Sequence, residues 1–159
     1  MKIKKFIFSI CIILFFTQNY YTKIEAADNI YLYKGTFSRT IKISDLDNLV
    51  TTGKTTKQLK RILRLTNQKE EQLSEILKYQ IEIPITILDN LIYSSIGETI
   101  INKISEIIYP NKYQNTKIGI SAIRSAFLIG ASRNNGKIRV IDFFEAYPNK
   151  NIAINLNSL

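Results

Sequence analysis

Thr55-Thr-Lys-Gln-Leu-Lys-Arg-Ile-Leu-Arg-Leu65 and Asn67-Gln-Lys-Glu-Glu-Gln-Leu-Ser-Glu-Ile-Leu77 decide the fold class. In each, the apolar residues recur at i, i+3 and i+4: Leu59, Ile62 and Leu63, then Leu73, Ile76 and Leu77. That spacing puts a stripe on one side of a helix. Thr55 with Gln58, and Asn67 with Glu70, read as capping boxes that start the two helices. Glu70 and Glu71 open the second helix, where the macrodipole favours carboxylates, so the pair needs no catalytic explanation.

Working outward, the same reading covers most of the chain. Ser44 reads as a cap for a helix carrying Leu46, Leu49 and Val50, with Gly53 as its stop. Pro84 opens a helix with Ile87, Leu88, Leu91 and Ile92. Ser95 with Glu98 predicts a further box, then a helix with Ile96, Ile100, Ile104, Ile107 and Ile108 on its buried face, ended by Pro110. Ile120, Ile123, Ala126 and Phe127 lie on a helix whose small residues Gly119, Ala122, Ala126 and Gly130 suit close packing, so we place it at the centre. After the Asn134-Asn135-Gly136 turn, Val140, Ile141, Phe143, Phe144 and Tyr147 form a short helix stopped by Pro148.

The chain ends read differently. Ile30-Tyr-Leu-Tyr33 and Phe37-Ser-Arg-Thr-Ile-Lys-Ile43 are β-branched and aromatic, and Lys34-Gly35-Thr36 supplies a turn between them. Ile152-Ala-Ile154-Asn-Leu156 alternates like a strand that pairs with this hairpin. The expected fold is mostly α: about five to seven short helices, with a small antiparallel sheet from the N-terminal hairpin and a C-terminal strand.

Residues 1–26 read as a cleavable signal peptide: Lys2, Lys4 and Lys5, an apolar run Phe6–Phe16, and Ile24-Glu25-Ala26 at cleavage spacing. The run is about half the roughly 20 residues that a bilayer needs. Residues 27–159 then form a single domain that is exported to a periplasm, a thylakoid lumen or the cell exterior. Its formal charge falls from +9 to +6 once the signal's net +3 is removed. A basic domain could meet an anionic membrane surface. The densest group, Lys57, Lys60, Arg61 and Arg64, shares a helix with core leucines and reads first as solvated surface.

Several chemistries are excluded. The chain has no histidine, and its one cysteine, Cys11, lies in the signal. The commonest general base, disulfides and thiolate metal sites are therefore absent from residues 27–159. Gly53-Lys54-Thr55 ends like a phosphate loop, but Asn48 stands where the first glycine belongs. Gly119-Ile-Ser121-Ala-Ile123 is half of a nucleophile elbow, with Ile123 for the second glycine and Ser121 as a packing residue. Asn135-Gly136-Lys-Ile138 with Asp142 copies the end of an EF-hand loop, yet Ala131 and Arg133 occupy ligand positions. The aromatics do not alternate with basic residues on one strand face, so nucleic acid is not expected. No catalytic residue, cofactor or metal is assigned.

The order of segments resembles the N-terminal helical region of a family of exported, mainly cyanobacterial α/β-hydrolases of unknown function (DUF1400). The resemblance rests on Ile30 to Ile41, Ser44-Asp-Leu-Asp-Asn-Leu49, Leu59 to Leu65, Ile85 to Leu91, Ser95-Ile-Gly-Glu98, Ala122 to Ala126 and Asn135 to Pro148. In longer members it implies a following hydrolase domain with an elbow serine and a histidine. No residue here matches those motifs, so hydrolysis comes only with the family label. What the resemblance implies instead is an interaction or cap module. Its partner would be a separate exported hydrolase or an envelope protein, with a lipid or apolar ligand at the membrane surface as the alternative. Tyr31, Tyr33, Phe37, Phe143, Phe144 and Tyr147 are the candidate contacts, with core packing the competing reading for each.

Overall fold

The computed structural model describes residues 26–158 apart from residue 115. The signal peptide expected over residues 1–26 lies outside the described residues except for Ala26. Strands β1 (Asn29–Lys34) and β2 (Phe37–Lys42) form a hairpin in which Lys34 faces Phe37 across the turn, with Gly35 at φ +59°. Then come α1 (Ile43–Thr52), α2 (Lys57–Leu65), α3 (Glu70–Lys78), β3 (Gln80–Glu82), α4 (Ile85–Ile92) and α5 (Ser95–Ile107). The remainder is β4 (Ile108–Pro110), α6 (Lys117–Arg133), β5 (Lys137–Arg139), α7 (Val140–Glu145) and β6 (Asn151–Asn155). The fold is mostly α, as expected.

The main sheet has the order β2-β1-β6-β4, and a separate ladder pairs β3 with β5. The expected antiparallel sheet is in fact mixed, because β6 runs parallel to β1, with Ile30 opposite Ile152. The cause is where the chain re-enters: Lys150 accepts from the Asp28 N–H at 2.9 Å, so both strands start at the same edge. A parallel pair needs a long crossover, and here the whole helical body supplies it. Ile108–Pro110, expected to finish a helix, instead pairs with β6 as β4.

Helix α6 is the centre of the body, packed against α4, α5, α7, β4 and β5. Ile123 and Ala126 on it are fully buried. A Cβ at Gly130 would stand 2.9 Å from Ile138 Cδ1 and 3.3 Å from the Asp142 carbonyl oxygen. That glycine is what lets β5 and α7 approach so closely.

Four predicted helix starts shift. Helix α1 begins at Ile43, so Ser44 is an exposed residue of its first turn and no cap. Thr56, not Thr55, caps α2 by accepting from the Leu59 N–H, and Thr55 instead donates to the Glu70 carboxylate. Helix α3 starts at Glu70, and Asn67 sits in the left-handed region at φ +55°. Ser94, not Ser95, caps α5 by accepting from the Gly97 N–H at 3.1 Å. At α2 and α5 two neighbouring hydroxyls compete for the cap, and the one that accepts from the third helical N–H wins; α1 and α3 begin after Lys42 and Lys69 instead.

Candidate functional site: an apolar groove and stripe

Helix α5 turns a different face inward from the one predicted. Its buried residues are Gly97, Ile101 and Ser105. Ile96 and Ile100 are 69% and 50% exposed. The reason is Gly97, where α5 crosses the end of α4. A Cβ there would lie 2.8 Å from the Leu91 carbonyl carbon and 2.9 Å from Ile92 Cα. Contact that close fixes the rotation of α5 and turns Ile96 and Ile100 outward. Helix α4 does the same on its own scale: Leu88 and Ile92 are buried, while Ile87 and Leu91 are exposed.

Ile96, Ile100 and Ile104 recur every four residues on one side of α5, and Ile104 is half-buried. The stripe therefore leads to the wall of a groove of about 340 Å³. Tyr79 and Ile81 come to this groove from the α3–β3 junction, Ile104 from the last turn of α5, Ile108 from the start of β4, and Phe127 from α6. Val140, Phe143 and Phe144 close it from α7. Tyr79 and Ile81 are exposed at its edge. The aromatic floor is ordered: Phe127 and Phe143 centroids are 4.9 Å apart and tilted, and Phe143 meets Phe144 edge-on at 5.5 Å. Such geometry suits ring quadrupoles.

Among the described residues lining this groove the charged one is Arg139, whose guanidinium is held by Asp142. Burial pushes the Asp142 carboxyl up, but hydrogen bonds from the Arg139 side chain and backbone, with its charge, hold it below the ordinary value. Glu145 is shifted the other way, raised by burial and by the charges of Asp47 and Asp142. Among the described residues no group of three His, Cys, Asp or Glu could hold a metal ion. Ser121 is exposed on α6, contrary to its expected packing role. The groove can bury an apolar side chain or an acyl chain, and its lining offers no pair for proton transfer.

The candidate contact residues fall into separate places. Phe143 and Phe144 line the groove together. Phe143 is nearly buried, at 7% exposed, and Tyr147 is wholly buried beneath it with centroids 5.9 Å apart. Tyr147 thus belongs to the core and offers no contact surface. Tyr31 and Tyr33 are half-buried on β1, and the Tyr33 hydroxyl donates to Asn111 Oδ1 at 3.2 Å. Phe37 stands 70% exposed at the end of the hairpin, and does not line the groove. Sequence reasoning missed Ile96, Ile100, Tyr79 and Ile81 as surface residues. The signal was present in α4 and α5, whose apolar arcs are wider than a single buried face requires.

A family model described as "Alpha/beta hydrolase of unknown function (DUF1400)" matches residues 26–155. Comparison with curated proteins and with solved structures gives no match. The matched span takes in every helix and strand from β1 to β6, and the chain belongs to the DUF1400 family of α/β-hydrolases of unknown function.

Proposed function

We propose that this domain is a non-catalytic interaction or cap module of an exported protein, docking through its apolar groove and the α5 stripe onto an α/β-hydrolase. One observation carries the reading: Ile96 and Ile100 are exposed on the same helix face whose next turn, Ile104, walls the groove. A soluble domain gains nothing by exposing such a stripe, and contiguous apolar surface of this kind marks interaction sites. Membership of a hydrolase family without a histidine in the chain fits a role beside a catalytic domain rather than as one.

The test is a photo-crosslinker at Ile100 of the chain in its native host. Recovery of an α/β-hydrolase, lost when Ile96→Glu is added, supports the proposal. Crosslinks to no hydrolase reject it. Ester hydrolysis by the purified chain above background rejects the non-catalytic part.

A second reading has its own support. A groove of about 340 Å³ with an almost wholly apolar lining falls within the range of small-ligand sites, about 300–1,000 Å³. A lipid or apolar small molecule bound there would appear in native mass spectrometry and disappear on Phe144→Asp.

A further inference from the structure

The hairpin and α2 carry a second surface that the groove does not use. Gln58 Nε2 donates to the Thr40 carbonyl at 3.0 Å and fixes α2 against β2. This seats Lys57 and Arg61 beside Arg39 around an open cavity of about 630 Å³. Next to it, Lys34 and Arg39 rim a slot of about 270 Å³ whose walls are Leu32, Phe37, Ile62 and Leu65. No acidic residue lines either cavity. Glu70, close by, is engaged by Lys60 at 3.3 Å and by Thr55. Among the described residues, Lys34, Arg39, Lys57, Arg61 and Arg64 make no ion pair. In the middle of these cations stand two large apolar side chains, Phe37 at 70% and Leu65 at 66% exposed.

We propose that this face docks on an anionic phospholipid bilayer, with Phe37 and Leu65 entering the acyl boundary and Lys34, Arg39, Lys57, Arg61 and Arg64 meeting the headgroups. The argument is charge complementarity combined with amphipathicity. A solvated basic surface would not centre on exposed Phe and Leu. A nucleic-acid surface would stack bases on several aromatics, and here there is one aromatic beside an aliphatic side chain. An apolar tip ringed by Lys and Arg is how interfacial segments bind anionic lipid. The inference is independent of the groove reading, because the two surfaces share no lining residue.

The experiment uses the full chain with Phe37→Trp. The natural sequence has no tryptophan, so emission reports this site alone. With vesicles of mixed phosphatidylglycerol and phosphatidylcholine, the emission shifts to the blue and acrylamide quenching falls. Pure phosphatidylcholine, or 0.5 M salt, leaves both unchanged. Adding Lys57→Glu and Arg61→Glu lowers partitioning at least about twenty-five-fold, since each basic residue contributes roughly fivefold at an anionic surface. Lys103→Glu with Lys117→Glu, the same charge change on exposed positions of α5 and α6, stays within about twofold. Unshifted emission from chain that nevertheless sediments with vesicles overturns the proposal, because binding then runs through another segment. Equal losses for the two double variants overturn it as well. A shift with single-stranded DNA and none with vesicles does so in favour of nucleic acid.

Discussion

Arg139 grips Asp142 three residues further on, Nη2 to Oδ1 at 2.6 Å and Nε to Oδ2 at 3.1 Å, while the Arg139 backbone N–H donates to Oδ2 at 2.8 Å. The carboxylate thus caps α7 and at the same time pins the arginine at the rim of the groove. Its side chain is 7% exposed against 38% for the arginine. Asp142→Asn keeps the size and loses the charge. We expect it to cost roughly 2 kcal/mol at neutral pH, in the range of charge-assisted hydrogen bonds. The folded carboxyl lies below its unfolded value, so its stabilisation is complete above the unfolded value and is lost as pH falls through the folded one. Urea unfolding of the two proteins should therefore converge only as the pH is taken below the ordinary carboxylate range.

Glu145 predicts the opposite sign on the same helix. Burial, Asp47 and Asp142 raise its pKa in the folded state. The unfolded chain then releases the proton first as pH rises, and folding is penalised above the folded value. Glu145→Gln should stabilise the domain at pH 7 by up to about 0.5 kcal/mol, and should do nothing at about pH 3. A pH series of melting temperatures distinguishes it from Asp142→Asn, which moves stability down instead of up.

Three glycines on two helices should respond differently to alanine. At Gly97 the new Cβ meets the backbone of Leu91 and Ile92, which cannot step aside without parting α4 from α5. Gly97→Ala should cost about 3 kcal/mol or more. At Gly130 the closest atom is the flexible end of Ile138, at 2.9 Å, and we expect about 1–2 kcal/mol. At Gly119 nothing lies nearer than 3.7 Å, so Gly119→Ala should gain roughly 0.5 kcal/mol of helix propensity. Chemical denaturation of the three variants gives the order directly.

The Tyr147 hydroxyl is buried and has no hydrogen-bond partner among the described residues. Burial pushes its ionisation well above the ordinary tyrosine range. Tyr147→Phe removes an unsatisfied polar atom while keeping the ring that meets Phe143 edge-on. It should raise stability by about 1 kcal/mol, read as a higher melting temperature. A lower melting temperature would mean that the hydroxyl has a partner, such as an internal water.

How far the sequence could be read follows from these same residues. Stripe spacing placed the core of α1, α2 and α6 correctly, because one-sided burial there leaves little choice: Leu46, Leu49, Leu59, Ile62, Leu63 and Ile123 are all buried. On α5 spacing alone misled. Isoleucines at 96, 100, 101, 104 and 107 fit two rotations of the helix, and the contact at Gly97, not hydrophobicity, decides between them. The strand direction of β6 and the β3–β5 ladder depend on where distant segments arrive, which local propensity does not encode. Phe143 and Phe144 were found as aromatics, but their partners Tyr79, Ile104 and Phe127 come from three other elements.

The exposed stripe yields the last prediction. Ile96 and Ile100 each keep more than half or about half of their surface in water, at 69% and 50%. Replacing both with glutamate therefore removes little core contact, and stability should change by less than about 1 kcal/mol. Glu at these positions would place charge on the path into the groove, where burial in an interface strongly disfavours it. Ile96→Glu with Ile100→Glu should thus leave the melting temperature nearly unchanged and, on the proposed docking role, abolish capture of an α/β-hydrolase. If the double variant unfolds the domain, the stripe is packing inward and is not a docking face. A folded variant that still captures its partner would place the contact elsewhere. Isolating that partner with wild-type chain and losing it with this variant separates a surface used for binding from one that is merely exposed.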